Sequence, residues 1–356
     1  MPSYRGVAAS PKAGRLLRLG LPRDPQAVPH LLALVVSTVA TVLITRGLLA
    51  ATGYPQVGGG GLHVAHVLWG GLLMLVALVA LLSFAGPVAR PGAAVLGGVG
   101  FGLFIDEIGK FVTSDNDYFY RPAAAIMYVV IVLLVLGVHW LHGRRPHHPT
   151  EHLAGAVDQA VSGVVGGFTP ERRAQARAQL SRAAGAPGAP ETAALLRVIP
   201  DDTAELFDPT HRVRQLVRMI ADRFLAARAT AWFAVAVLLL ASIFVGLQYL
   251  VGLLLAVLPW TPGPMVTVPR LLTALSACVA AGMAGAGAWR LRRDRRYAFT
   301  WFQRATLLNL LLTRVFDYAA NEFDAVGATV VDLLLLAVIT AELARLRRAE
   351  HSPQGG

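Results

Sequence analysis

Long apolar runs separated by short polar breaks organise this chain from residue 30 onward. Taking about 20 apolar residues as one bilayer crossing, the pattern predicts helices at 30–50, 63–84, 93–113, 122–142, 230–257, 270–290, 298–318 and 326–345. The expected fold is therefore all-α, a polytopic integral membrane protein of about eight transmembrane helices. The apolar stretch behind Arg5, Lys12, Arg15, Arg18 and Arg23 is too long for a signal-peptide core and has no clear small-residue cleavage site. It reads as a retained first span.

Between the fourth and fifth runs the periodicity is lost for some 85 residues rich in Ala and Arg. This divides the chain into a basic N-terminus (1–29), a first four-helix half (30–142), a helical insert (143–229), a second half (230–345) and a tail (346–356). Thr169-Pro170-Glu171 and Asp208-Pro209 each set an N-capping residue before a proline, the signature of a helix start, and GAPGAP at 185–190 breaks the helix between them. The second of these helices puts Val213, Leu216, Ile220 and Phe224 on one face, which suits a connector lying on the membrane surface. A slide of 204 residues superposes Lys110 on Arg314, Asp117 on Asn321 and Phe119 on Phe323, a weak internal match between the halves.

Composition agrees with hydrocarbon as the main solvent: 55% of residues are hydrophobic and only 15% charged, and the mean hydropathy is +0.56. The net charge of +11 would suit a nucleic-acid binder were the arginines clustered on a polar domain. They instead occupy the N-terminus, Arg90, the insert, the run Arg290, Arg292, Arg293, Arg295 and Arg296, and the tail Arg345, Arg347 and Arg348. Under the eight-span pattern all of these fall on one side, and the opposite loops carry only Arg121 and Arg270 beside Asp115, Asp117, Glu322 and Asp324. The positive-inside rule then places both termini in the cytoplasm of a plasma-membrane protein. The expected partners are membrane lipids and a small solute or ion, with no nucleic acid and with self-association left open.

A charged side chain at the centre of a span costs roughly 2.5–3.5 kcal/mol, so each one needs an account. Asp106, Glu107 and Lys110 lie in the third run, Asp106 roughly 10 Å below its outer end. Arg314 and Asp317 approach the outer end of the seventh, and Asp332 sits roughly 9 Å inside the eighth. Spacings of three and four let Lys110 pair with either carboxylate, leaving the other for a proton, a metal or a second cation such as Arg314. These six residues read either as interhelical ion pairs or as the lining of an ion or solute site.

His63 and His66 share a helix face and, with a carboxylate such as Asp117, could hold zinc or iron. Arg46 is placed to join the charged layer, Arg304 and Glu342 lie near the inner ends where each can snorkel or pair with the basic loops, and Gly98-x-x-x-Gly102 reads as a close-packing face. His30, His139 and His142 gather near the inner face, and the lone Cys278 excludes an intramolecular disulfide. The expected function is ion- or proton-coupled transport of a small solute through a polar cavity in the outer half of the bilayer. The alternatives are a membrane-embedded metal-dependent enzyme acting on a lipid or amphipathic substrate, and a structural or scaffold protein with no enzymatic role.

Overall fold

The computed structural model describes residues 15–52, 66–114, 120, 122–143, 146–202, 219, 230, 232–238, 240–241, 244, 247–248, 251 and 267–351. After a single turn at Arg15–Arg18, the helices are α1 (Ala27–Thr52), α2 (His66–Ser83), α3 (Ala89–Asp106), α4 (Ile108–Val112), α5 (Ala123–Val138), α6 (Pro149–Gly166), α7 (Pro170–Arg182), α8 (Ala189–Val198), α9 (Val268–Arg290), α10 (Arg295–Leu308), α11 (Arg314–Asn321) and α12 (Ala325–His351). π-Turns follow α5 at His139–Gly143 and α10 at Asn309–Thr313. No strand occurs among the described residues. His63, Asp117 and the Asp208-Pro209 start lie outside them.

Five stretches are long and apolar enough to cross a membrane: Ala27–Thr52, His66–Ser83, Ala123–Gly143, Val268–Arg290 and Arg295–Arg347. Only 11% of the apolar window is buried in protein in each of the first two, so their Leu and Val side chains face outward. Such surfaces are consistent with a membrane protein. The last stretch is a hairpin. Arg295 pairs with Glu342, Gln303 with Thr340 and Arg314 with Asp332, so α12 runs back antiparallel to α10 and α11. The reversal is a 3₁₀ turn at Glu322–Asp324, opened by Glu322 at φ 52°.

The chain forms two compact units, residues 1–107 with 133–211, and 108–132 with 212–356. In the first, α3 is packed against both α1 and α2. Glycines allow it: a Cβ on Gly100 would stand 2.7 Å from the Gly70 carbonyl oxygen, and one on Gly102 2.8 Å from that of Thr38. Gly98 abuts Leu34 and Ser37, so the Gly98/Gly102 face meets α1 as its spacing suggests. The Thr38 hydroxyl, fully buried, lies 2.8 Å from Leu34 O and 3.1 Å from Gly98 O.

The insert is a small helical module in the same unit. Thr169 caps α7, whose first residue is Pro170, and the GAPGAP break holds Gly185 and Gly188 at φ 82° and 89°, conformations that favour glycine. Ala160, Phe168, Ala176, Leu196 and Ile199 form its core. Arg173 lies over the Phe168 ring and donates to Leu196 O and Ile199 O, closing the C-terminus of α8. His148 and Glu151 form a capping box at the start of α6.

Glu151 also accepts from the Arg23 backbone N–H at 3.0 Å, Nε at 2.9 Å and Nη2 at 2.8 Å. Burial pushes this carboxyl up, but the Arg23 and His148 hydrogen bonds outweigh it and hold the group at about 2. Arg90 is bonded to Asp24 and, through both Nη atoms, to Asp158. The insert is thereby tied to the beginnings of α1 and α3.

In the second unit, helical residues 232–238 pack with α9, α10 and α12 around Leu238, Phe299, Phe302 and Ile339. The two phenylalanines meet edge to face, centroids 5.6 Å apart. At that end Glu342 is buried between Arg295 and Arg345, the pairing its position suggested. Arg304 instead stands over the Trp301 ring.

Candidate functional site: two buried charge clusters

Apart from the Arg23–Glu151 and Arg295–Glu342–Arg345 pairings, each unit holds, among the described residues, a cluster of buried ionisable groups. In the first, α3 ends at Asp106 and the helix breaks at Glu107 (φ −90°, ψ 11°) before resuming at Ile108. Both carboxylates are fully buried. Arg46, from the C-terminal part of α1, donates from Nε to Asp106 Oδ1 at 2.6 Å and from Nη2 to Asp106 O at 3.0 Å. One guanidinium thus binds both the side chain and the carbonyl of the residue that ends α3. Glu107 Oε1 receives the His66 backbone N–H at 2.7 Å and lies 3.2 Å from His66 Nδ1.

The spacing argument let Lys110 pair with either carboxylate and left the other for a second partner. The structure sets Arg46, already placed by sequence beside the charged layer, on Asp106 and His66 on Glu107, and carries Lys110, half-buried, on α4. His66, a candidate metal ligand, turns its Nδ1 to Glu107. Among the described residues no three His, Cys, Asp or Glu side chains are grouped as metal ligands.

The second cluster is built on the helix hairpin. Arg314 donates from Nη1 to Asp317 Oδ2 at 2.6 Å on its own helix and from Nε to Asp332 Oδ2 at 2.7 Å on α12. Asn321 Nδ2 donates to Asp317 Oδ1 at 2.8 Å, and the Asn309 side chain is hydrogen-bonded to Asp332. Asp332 is buried, and the Arg314 and Asp317 side chains are each 13% exposed. Expected from sequence as three neighbours in depth, they form one connected network.

The π-turn Asn309–Thr313 sets Arg314 in place. The Arg314 N–H reaches back five residues to Asn309 O, one more than in an α-helix. Beside it, Tyr128 OH donates to Leu310 O at 2.6 Å, and the Tyr128 ring stacks on Tyr318 at 4.7 Å.

The cluster faces a cavity of about 220 Å³ lined by Gln248, Thr273, Asn309, Thr313, Arg314, Asp317, Asn321 and Asp332, with Leu238, Ala241, Ala277 and Ala328 as its apolar wall. Among the described residues of this lining Arg314 is the one basic group and faces two carboxylates. With both ionised these three side chains sum to one negative charge, which a low-dielectric cavity disfavours unless a proton or cation is taken up. A larger cavity of about 480 Å³ in the first unit is walled by Leu31, Leu34, Met74, Leu78, Leu81 and Phe101, with ionisable groups only at Asp24, His30 and Arg90. It lacks the convergent polar groups a charged ligand needs.

Sequence reasoning passed over Asn309, Thr313 and Asn321 as site residues. A signal was present: 309, 313, 317 and 321 recur every four residues, a polar stripe on an otherwise apolar run. Gln248 and Thr273 gave none, since single polar residues in apolar helices are common. Compared with protein-family models, curated proteins and solved structures, the chain matches none.

Proposed function

We propose that this chain is an eight-span plasma-membrane protein, both termini cytoplasmic, that takes up a proton or cation with a small polar solute in the Arg314 cavity and carries them across the bilayer. One observation carries the reading: a single arginine held between two buried carboxylates, in a cavity lined by amide and hydroxyl side chains. Inside a membrane such groups mark ion and proton pathways by default, because an isolated charge there is costly. A surplus carboxylate supplies the exchangeable position. When a proton or cation neutralises Asp317 or Asp332, Arg314 is released toward the other, which alters the hydrogen bonding open to a solute.

Eight crossings follow if the hairpin Arg295–Arg347 makes two, α3 makes one between α1 and α2, and the 230–257 run makes one. The basic loop Arg290–Arg296 then lies inside and the Glu322–Asp324 turn outside, which puts the cavity in the outer half. The test is proton flux into proteoliposomes under an imposed pH gradient, read with trapped pyranine. Wild-type protein is expected to raise flux above empty vesicles, and Asp332→Asn to abolish it with unchanged gel-filtration behaviour. Undiminished flux in Asp332→Asn would sink the transport reading and leave the network as a packing device.

A further inference from the structure

Helix α6 meets the ends of the apolar helices one after another. Glu151, Gly155, Asp158 and Gln159 share one face, and in that order they reach Arg23, Pro25, Arg90 and Gln26. Arg23 in turn donates to Leu141 O and Pro146 O beyond the end of α5. Val161 lies against Gly86, in the link between α2 and α3. A helix that contacts the start of α1, the α2–α3 link, the start of α3 and the end of α5 lies across them. If those helices cross the bilayer, α6 runs in the plane of its surface.

A second face is closed by the insert's own core: Ala156, Ala160 and Gly163 are buried, and His152 bonds to Gln179 of α7. The remaining face is an apolar stripe. Val157, Val161, Val164 and Val165, at i, i+4, i+7 and i+8, are 42%, 39%, 63% and 90% exposed. At 100° per residue the centre of this stripe stands about a third of a turn from the face on the span ends, with Val161 and Val165 on its nearer side, hence sideways at the level where the spans stop. It adjoins an apolar surface of the same kind. Leu78, Leu81, Leu82 and Phe84 at the end of α2 are exposed, and Phe84 is two residues from the Gly86 that Val161 touches.

We infer that α6 is an interfacial helix whose valine stripe enters the headgroup–acyl boundary of the leaflet at the Arg23–Arg90 end. Its ligand is the lipid surface. The insert thereby holds the ends of α1, α2, α3 and α5 at a fixed depth, with Glu151 and Asp158 as its ties to the spans and the valines as its contact with lipid. The inference rests on the apolar helices being membrane-spanning, not on transport.

The sole cysteine, Cys278, makes the test clean. In a Cys278→Ser background, single cysteines at Val161, Val165, Leu75 and Arg177 are spin-labelled and the protein is reconstituted in phospholipid vesicles. Accessibility to oxygen, which concentrates in hydrocarbon, is compared with that to a water-soluble nickel chelate. Leu75 reports an exposed position within α2, and Arg177 an exposed polar position on α7. The oxygen-to-nickel ratio is expected to be highest at Leu75 and severalfold above Arg177 at both valines. A high ratio at Leu75 with valines like Arg177 overturns the interfacial helix and leaves the spans standing; a low ratio at all four overturns both.

Discussion

Replacing Glu151 by glutamine removes the negative charge that ties the insert to the segment before α1 while keeping the side chain's shape. The wild-type carboxylate receives three hydrogen bonds from Arg23, at 2.8–3.0 Å, and one from the His148 backbone N–H at 2.8 Å. Held at about 2 rather than its ordinary 4.5, it contributes about 3 kcal/mol to the docked state at neutral pH. Arg23 reaches water on one side, so a net loss of about 2 kcal/mol is the expected cost of the substitution.

The sign follows from the direction of the shift. A carboxyl depressed in the folded state stabilises it fully above about 4.5, and the contribution drains away as pH falls toward about 2. His147 adds in the same sense. Burial first, then the Arg23 charge, lower its pKa, so its neutral form suits the docked insert and acidification below about 6.5 opposes it. The assay is hydrogen–deuterium exchange of peptides covering 149–166 and 22–30 in reconstituted protein. Wild type should lose protection between pH 4.5 and 3, and Glu151→Gln should exchange faster at pH 7 with little further change over that window. Equal protection of the two proteins at pH 7, or parallel losses on acidification, would refute the account of Glu151.

Two further sets of substitutions probe the interiors of the units. Gly100→Ala drives a methyl against the Gly70 carbonyl and the Met74 N–H and should cost about 1–3 kcal/mol, whereas Gly97→Ala, whose Cβ would stand 3.6 Å from Ala77 Cβ, should be nearly silent; thermal unfolding in detergent compares them. Arg314→Met strands two carboxylates and should cost about 3–5 kcal/mol, and Arg314→Met/Asp332→Leu should recover a large part of it. A double variant no more stable than the single one would show that the pair is not coupled.

The positions of the five long apolar stretches were legible because a bilayer crossing demands long uninterrupted runs. The close-packing face of Gly98 and Gly102 and the Thr169-Pro170 start were legible for equally local reasons. Arg46 was legible as a member of the charged layer, but not its specific pairing with Asp106, nor that of Glu107 with His66. Spacing arguments along the third run presume a continuous helix, whereas the helix breaks at Glu107. The partners Arg46 and His66 lie 60 and 41 residues away, beyond any local rule. Helix α6 was hidden by its cap, since histidine is not among the usual N-cap residues even though Pro149 and Glu151 complete the pattern.

The π-turn at Asn309–Thr313 is in effect a one-residue insertion in a helix. The slide that sets Lys110 on Arg314 carries it onto 105–109, where the other half has its own break. Deleting any one of Leu310, Leu311 and Leu312 would leave the local chemistry unchanged yet turn the rest of that helix by about 100° against α10. With α12 kept on α10 by Arg295–Glu342 and Gln303–Thr340, Arg314 would then swing away from Asp332. The electrostatics of the cavity are therefore written partly in a count of leucines, a kind of information that residue-by-residue substitution scans never vary.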